Sequence, residues 1–419
     1  MIQKKFRLVE KHRAYRKKIV ANRLSLKEKI SGRYQEWRLS RSNTQIVSHI
    51  ARRLYQKIKD KLRLSYSVHN SIHLSPPKKV KQNIFCIRIT GGIGDAVIIA
   101  RMARDLVANI GEYQFDIYFQ SPAVIRPFFS KIKGFRECMH IDAFDQTKHY
   151  YQFSLIANQF VYFEDGVANL QEITAKHPKL LSIFSNTVAT KNKYDRYIRL
   201  HPTLDGAFSD IATKQGHRRY TYLHHTLGIK YTSDLLDIEL ASQLPSALLD
   251  KNYITIHDGW DGNFPIKSHR PTKSVPIEKW AEIVALIKKE RSDITIVQLG
   301  GATGSNIDGV DINFKNKLSF DQATTVLSKS LLHIDAESGL VHIAASLGVR
   351  SIVLFGPTNS DWFSYPSNIN ILPKECGNCW WSTNNWMEKC PAGFDIPICT
   401  NSISAKLVAK EAVKFLSTV

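Results

Sequence analysis

The sequence predicts an α/β protein with two doubly wound halves that face a central cleft, preceded by a basic helical arm. An apolar strand, a glycine-rich turn and an apolar helix follow one another from residue 83, as at the beginning of a doubly wound domain. A second series of strands and helices starts at residue 253, after a proline-containing segment at 242–251. Ligands of such Rossmann-like pairs bind at the carboxyl ends of the strands, so we expect the site in the cleft between the halves.

The composition is that of a globular protein whose charge is unevenly distributed. The 419 residues are 43% hydrophobic and carry a formal net charge of +21, so wholesale disorder is excluded. Residues 1–80 hold 22 Lys and Arg against four acids, a net of +18, whereas the rest of the chain carries only +3. Because the body is nearly neutral, the basic pI does not indicate that its main site binds nucleic acid.

Residues 1–80 are predicted to form the basic helical arm. Apolar side chains recur every four residues, at Ile46, Ile50, Leu54, Ile58 and Leu62, and basic side chains lie mostly off this stripe. Such a helix packs on the body or attaches to an anionic membrane surface, with nucleic acid as a third alternative. No run approaches 18 apolar residues and no apolar segment follows the basic N-terminus, so we expect neither a transmembrane helix nor a secretory signal.

Each half has its own succession of predicted elements. In the first half we expect strands at 84–89, 115–119 and 154–156, and helices at 96–109 and 220–227. In the second half we expect strands at 253–257, 294–299, 331–334 and 351–355, and helices at 277–291, 319–330, 339–347 and 404–416. Most of the segment 150–240 has no clear periodicity.

The turn after the first strand reads Gly91-Gly92-Ile93-Gly94-Asp95. Its glycines are not spaced as in the dinucleotide-binding fingerprint, but they allow a ligand or backbone to approach the strand end closely. Asp95 comes at the start of the following helix. It is either a helix cap that accepts from a free amide or, facing the cleft, a general base for a hydroxyl proton.

A loop after the strand at 253–257 carries a cluster of basic residues. Lys267, Arg270 and Lys273 are spaced closely enough to clamp a phosphate-bearing ligand. The alternative is a solvated basic loop without a ligand.

A strand-to-helix turn at 335–342 favours an anionic ligand independently. Its free backbone amides, together with Ser338 and Gly339, suit a pyrophosphate at a helix N-terminus. His342 would face the same end, although an isolated histidine on an apolar helix is often a core residue. Asp335 and Glu337 are alternatively simple caps.

Four of the six cysteines lie within 24 residues, with three tryptophans among them. They are Cys376, Cys379, Cys390 and Cys399. A C-x-x-C pair followed by two further thiols suits a tetrahedral zinc or iron site, which is structural because the protein supplies all four ligands. Two disulfides or unconnected core thiols are the alternatives, and the expected reducing compartment favours metal ligands over disulfides.

Taken in order, these motifs resemble those of glycosyltransferase family nine, which contains the bacterial ADP-heptose transferases. The matching residues are 92–95, Lys273 with Pro276, Glu278 and Trp280, then 337–345 and 355–358. They occur in the family's order and spacing, and the resemblance covers about residues 83–418. The four cysteines are similar to the iron-binding insertion of the autotransporter heptosyltransferases, a branch of the same family.

The resemblance implies a GT-B fold, with an acceptor domain at 81–245, a donor domain at 250–403 and a C-terminal helix at 404–419. It implies inverting transfer without a catalytic metal, in which Asp95 deprotonates the acceptor hydroxyl. The implied donor-binding residues are Lys273, Glu337, Ser338, Gly339, Leu340, His342 and Thr358, and the implied loop residues are Gly92, Gly94 and Arg270. Many heptosyltransferases have aspartate where this chain has Glu337.

The expected function is transfer of a heptose from ADP-heptose to a hydroxyl of the lipopolysaccharide core or a related lipid-linked acceptor. A protein hydroxyl is the alternative acceptor, and another nucleotide-sugar the alternative donor. A non-catalytic carbohydrate- or nucleic-acid-binding protein on the same scaffold is the remaining alternative, with nucleic acid the least expected partner. We expect structural iron or zinc, and a cytoplasmic protein attached peripherally to the bacterial inner membrane through residues 1–75.

Overall fold

The structure, a computed structural model, describes residues 83–164, 177–241, 243–260 and 270–418. The predicted arm at 1–80 and Lys267 lie outside the described residues. Within the described ranges, no helix is both long and apolar enough to span a bilayer. Both sheets lie in one compact unit, Val80–Cys390 with Asp395–Val419.

The first sheet has five strands in the spatial order β3-β2-β1-β4-β5. In chain order they are β1 Ile84–Ile89, β2 Gln114–Phe119, β3 Phe135–His140, β4 Phe153–Ala157 and β5 Val161–Phe163. They pair in parallel except β5, which runs antiparallel to β4. β1 is central because its side chains are almost all apolar and buried, as in a parallel strand covered on both faces.

Helices of the first half include a long segment whose periodicity is weak. The helices are α1 Ile93–Ile110, α2 Pro122–Phe129, α3 Pro178–Arg199, α4 Asp205–Lys214 and α5 Arg219–Leu227, with a single turn at Phe144–Thr147. The sequence predicts α1 and α5 but not α2, α3 or α4. In the 22-residue α3, only Leu180, Ile183, Thr187 and Tyr194 are buried, so its sequence shows little apolar stripe.

The second sheet has six parallel strands in the order β11-β10-β9-β6-β7-β8. They are β6 Tyr253–His257, β7 Thr295–Gln298, β8 Ile312–Asn313, β9 His333–Ala336, β10 Ser351–Leu354 and β11 Ile369–Ile371. β9 lies two residues beyond the predicted strand at 331–334. The prediction failed there because His333 and Asp335 are polar, yet both are fully buried and lie 3.2 Å apart, Nε2 to Oδ2.

Helices of the second half confirm their predicted bounds to within two residues. They are α6 Ile277–Glu290, α7 Phe320–Ser328, α8 Gly339–Ser346 and α9 Ala405–Leu416, with single turns at Ser360–Phe363 and Ile398–Asn401. Three of them begin after a serine cap whose hydroxyl accepts from an amide of the first turn, at Ser319, Ser338 and Ser404. These caps explain why the starts were predictable.

Candidate active site

The N-termini of α1 and α8 lie against each other, and two glycines permit the contact. A Cβ atom added to Gly94 would lie 2.6 Å from Cδ2 of His342 and 3.4 Å from Cα of Gly339. A Cβ added to Gly339 would lie 3.4 Å from the backbone nitrogen of Gly94. The glycine-rich turn and the strand-to-helix turn, separate motifs in the sequence, therefore form one site. Two helix N-termini at one place attract an anion.

We expect Gly94→Ala to disrupt this contact. The new methyl group would displace the His342 ring, and because backbone of α8 lies behind it, the two helix ends would have to separate. We expect a lower melting temperature and weaker nucleotide-sugar binding, measured by thermal denaturation and titration calorimetry. Gly92→Ala is the matched control, since its Cβ meets nothing within 4 Å and its φ is −88°. Equal effects of the two variants would contradict the close contact.

Asp95 lies in the first turn of α1, which begins three residues earlier than predicted. Its carboxylate accepts from the backbone N–H of Gly92 at 3.0 Å and from Nη2 of Arg219 at 2.5 Å. Arg219 is buried and also donates to the carbonyl of Asn158 at 2.9 Å. The Asp95 side chain is 25% exposed, so one side of the carboxylate faces solvent. Asp95 thus supports the helix start without being its N-cap, which is Gly92.

The pKa of Asp95 lies below its ordinary value. Burial by itself raises that pKa, but the charge and hydrogen bond of Arg219 outweigh it. The amide of Gly92 and the nearby His342 add to the lowering. Asp95 is therefore a carboxylate at neutral pH, able to accept a proton from a bound hydroxyl group.

Arg219 is the functional residue that sequence reasoning missed. It begins α5, which the sequence predicts one residue later, and it lies 124 residues from the carboxylate it contacts. Only the burial of an arginine on an otherwise apolar helix face could have signalled a partner, and burial is not visible in the sequence. Two of its nitrogens, Nε and Nη1, are buried without a hydrogen-bond partner among the residues that the structure describes.

A second carboxylate lies within electrostatic range of Asp95. Asp205 begins α4 and contacts Nδ1 of His201 with both oxygens at 2.9 Å. Burial raises the pKa of Asp205, the hydrogen bond and charge of His201 lower it, and the negative charge of Asp95 raises it further. The surroundings of Asp95 therefore contain two carboxylates, each with its own cationic or imidazole partner.

A buried polar cluster supports the first turn of α8. Ser338 is the N-cap of this helix: its hydroxyl accepts from the amide of Leu340 at 3.2 Å and donates to Asp335 at 2.5 Å. Asp335 also contacts Nδ1 of His257 at 2.9 Å. Burial raises the pKa of Asp335, but His257 and His333 bring it down to about 2. The hydrogen bonds to Asp335 and Leu340 therefore fix the Ser338 side chain at the start of α8.

Lys273 and Glu337 lie at the same strand end. Nζ of Lys273 donates to the backbone carbonyl of Glu337 at 3.3 Å. The carboxylate of Glu337 lies 3.7 Å from Nε2 of His342. The structure thus places the predicted donor residues Lys273, Glu337 and His342 together with Ser338 and Gly339 around one helix N-terminus, although their roles stay predictions.

Two other predicted site residues lie on different segments. Arg270 is half-buried, and burial lowers its pKa while Glu278 at the start of α6 and Cys399 raise it. Thr358 is buried in the turn after β10. The phosphate clamp of Lys267, Arg270 and Lys273 stays a prediction, because Lys267 lies outside the described residues.

Three of the four clustered cysteines, Cys376, Cys390 and Cys399, are free thiols in the described part of the structure. Within the described ranges, no group of three or more His, Cys, Asp and Glu side chains is arranged to hold a metal ion. Burial raises the pKa of Cys399 to about 11, and the charges of Cys376 and Cys390 contribute to the increase, so these three sulfurs lie within electrostatic range of one another. The donor set suits a soft metal, and the metal site stays a prediction.

Fold and site together define a two-sheet α/β protein in which two helix N-termini meet beside a carboxylate. Within this class, residues 218–385 match the model of Glycosyltransferase family 9 (heptosyltransferase). The matched segment includes Lys273 and α8 but not Asp95. A comparison with curated protein sequences gives no match.

Solved structures with the same fold include three of glycosyltransferases, two of which are structures of TibC. The family 9 glycosyltransferase from Veillonella parvula DSM 2008 has 13% identity and a TM-score of 0.51, with 82% of this chain and 99% of that chain covered. The dodecameric iron-containing heptosyltransferase TibC in complex with ADP-D-β-D-heptose has 14% identity and a TM-score of 0.52, covering 81% and 79%. TibC from enterotoxigenic E. coli H10407, described as an iron-containing dodecameric glycosyltransferase, has 12% identity and a TM-score of 0.50, covering 81% and 78%.

At these identities the likeness establishes the fold. The chain has the α/β fold with parallel sheets of the heptosyltransferases, which confirms the predicted GT-B class. The family match, together with this fold, supports glycosyl transfer as the activity.

Proposed function

We propose that this protein is an inverting glycosyltransferase that transfers heptose from ADP-heptose to an acceptor hydroxyl. The observation that carries the proposal is the contact of α1 with α8, because it brings the Asp95 carboxylate beside the N-terminus of the helix suited to a diphosphate. The family match over residues 218–385 supports the donor class. The ADP-D-β-D-heptose bound to TibC supports the particular nucleotide-sugar.

The proposed mechanism needs one general base and a positively charged binding site for the leaving diphosphate. Asp95 accepts the proton of the acceptor hydroxyl, and the oxygen attacks the anomeric carbon from the face opposite the diphosphate. The bond from the anomeric carbon to the diphosphate breaks as the new bond forms, and ADP departs with the electron pair. Lys273 and the amides of α8 stabilise the negative charge that grows on the diphosphate. Inversion follows because attack and departure occur on opposite faces.

The acceptor is proposed to be a lipopolysaccharide-core or related lipid-linked hydroxyl, with a protein hydroxyl as the alternative suggested by the cysteine motif. The test is a transfer assay with purified full-length protein, ADP-heptose, competing nucleotide-sugars and both acceptor types. Turnover of ADP-heptose with the lipid-linked acceptor supports the proposal. Transfer only to the protein acceptor would mean that the acceptor is a protein hydroxyl. Activity only with a different nucleotide-sugar would reject heptose as the transferred sugar. If the protein neither turns over nor binds any nucleotide-sugar, the alternative of a non-catalytic binding protein is favoured.

We propose that the basic arm holds the protein at the anionic inner face of a bacterial inner membrane. The support is that +18 of the +21 formal charges precede residue 81. Replacing Arg52, Arg53, Lys57, Lys59 and Lys61 with glutamine in the full-length protein should weaken co-sedimentation with phosphatidylserine vesicles and leave turnover of a soluble acceptor analogue unchanged. Undiminished sedimentation of the variant would reject the proposal.

We propose that Cys376, Cys379, Cys390 and Cys399 hold a structural iron or zinc ion. When bound, the metal would cross-link a segment that contacts α4 through Asn378 and Asp210, whose side chains hydrogen-bond at 3.0 Å. Elemental analysis should find about one metal ion per chain, as a four-thiolate site requires.

Cys399→Ser should reduce the metal content and the melting temperature, and a chelator should lower the melting temperature of the wild type. Cys138→Ser is the control, since this buried cysteine lies outside the cluster. Metal-free wild-type protein with an unchanged melting temperature would reject the metal site.

A further inference from the structure

A buried chain of three side chains leads from α1 to the candidate site. Nη1 of Arg101 donates to the hydroxyl of Tyr365 at 2.9 Å, and this hydroxyl lies 2.8 Å from Nδ1 of His342. Arg101 is 0% exposed, Tyr365 1% and His342 5%. None of the sequence motifs includes Arg101 or Tyr365, and they lie 264 residues apart.

We propose that Arg101 and Tyr365 are positioning residues that keep Nδ1 of His342 as a hydrogen-bond acceptor and its proton on Nε2, so that Nε2 donates a hydrogen bond to the donor diphosphate. The inference rests on the proposed function for the identity of the ligand. Its claim about the imidazole concerns the protein alone and is testable without a substrate.

The direction of the hydrogen bonds follows from the chemistry of the three groups. A guanidinium only donates, so the Tyr365 oxygen accepts from Arg101. In the described part of the chain, His342 is the other hydrogen-bond partner of that hydroxyl, so its single proton goes to Nδ1. Burial raises the pKa of Tyr365, outweighing the opposite effect of Arg101, so the hydroxyl keeps its proton at neutral pH. Nδ1 is thus the acceptor, and a neutral imidazole then carries its proton on Nε2.

The surroundings of Nε2 make it useful as a donor. It lies 3.7 Å from a carboxylate oxygen of Glu337, beyond hydrogen-bond distance. A Cβ atom added to Gly94 would approach it to 3.3 Å, so the nitrogen faces the turn where the two helix N-termini meet. The charged groups near the ring are Asp95, Glu337 and Arg101.

The chain is held rigidly, as a positioning role requires. Nη2 of Arg101 donates to the hydroxyl of Ser346 at 2.7 Å and to the carbonyl of His342 at 3.3 Å, both on α8. The Tyr365 ring stacks on Tyr220 of α5, with centroids 5.0 Å apart. One arginine of the first half therefore fixes both the backbone and, through Tyr365, the ring of His342.

The first test is an imidazole ¹H–¹⁵N spectrum of full-length protein labelled with ¹⁵N-histidine. The signal absent from His342→Gln identifies the residue among the 15 histidines. We expect the Nε2–H pattern in the wild type and its loss in Tyr365→Phe, which removes only the hydroxyl. A wild-type Nδ1–H pattern, or a signal unchanged in Tyr365→Phe, would overturn the inference whether or not the protein transfers heptose.

The second test compares two amide substitutions by their kinetics. A glutamine amide nitrogen reaches the position of Nε2, whereas that of asparagine reaches only the position of Nδ1. His342→Gln should keep kcat/KM for ADP-heptose within about tenfold of the wild type, and His342→Asn should lose roughly 10- to 100-fold, as for a hydrogen bond to a charged group. A higher kcat/KM in His342→Asn than in His342→Gln would overturn the inference. A wild-type protein that is inactive but shows the expected spectrum would reject only the proposed function.

Discussion

Asp95→Asn is expected to reduce turnover of ADP-heptose by roughly 10²- to 10⁴-fold, the range for loss of a general base. Asparagine keeps the size of the side chain and an oxygen that accepts from Arg219, so the site geometry is preserved while the proton acceptor is lost. Because the proposed donor contacts come from Lys273 and α8, the affinity for ADP-heptose should change little. Steady-state kinetics with both substrates and calorimetric titration of ADP-heptose separate the two effects.

Asp145→Asn is a suitable control for this variant, since its carboxylate is 71% exposed and distant from the site elements in sequence. It should turn over at the wild-type rate. Near-normal turnover by a correctly folded Asp95→Asn protein would assign the base elsewhere, and Asp205 with His201 would then be the next pair to replace.

Arg219→Met should shift the acid limb of the pH profile of kcat/KM to higher pH. In the wild type, Arg219 holds the pKa of Asp95 below its ordinary value, so the carboxylate stays ionised, and active, down to low pH. Without this charge and hydrogen bond, burial dominates and the pKa rises, so protonation inactivates the enzyme at a higher pH. The measurement is kcat/KM as a function of pH over the acid range. The Asp95→Asn variant, measured in parallel, gives the activity that remains without the carboxylate.

The same variant should lose stability. A carboxylate whose folded pKa is depressed stabilises the protein above its unfolded pKa, and this contribution is lost as the pH falls through the folded pKa. Replacing Arg219 removes this contribution and leaves the Asp95 carboxylate without its positively charged partner. We expect the free energy of unfolding to fall by an amount toward the low end of about 3–5 kcal/mol, because the carboxylate is partly exposed. Denaturant unfolding at neutral pH measures the difference.

Arg218→Met provides the matched control at the neighbouring position. Arg218 is half-buried. Within the described residues, its side chain donates a hydrogen bond only to the backbone carbonyl of His217, at 3.3 Å. This variant should keep both the acid limb and the stability of the wild type. An acid limb that stays in place in Arg219→Met would mean that the titrating group is not Asp95.

The two halves differed in how well local patterns predicted their elements. In the second half, strands such as β6 are short apolar runs and helices begin after serine caps, so the predicted elements lie within two residues of the observed ones, with the largest shift at β9. The short strands β8 and β11 were not predicted. In the first half, α3 is largely exposed and carries no strong apolar stripe, so periodicity could not reveal it. Sequence patterns report burial, and they fail where a helix is solvated or a buried strand carries paired polar groups.

The sequence by itself determined the α/β class, the strand-to-helix turns at Asp95 and Ser338, and the residue types suited to a diphosphate. Those features are local, because a strand, its turn and the next helix are set by consecutive residues. Tertiary structure alone decided that Gly94 meets Gly339, that Arg219 holds Asp95, and that Arg101 reaches His342 through Tyr365. Except for the contact of Tyr365 with His342, these contacts join residues more than a hundred positions apart. Which distant side chains share a buried space depends on how the two sheets and their helices pack.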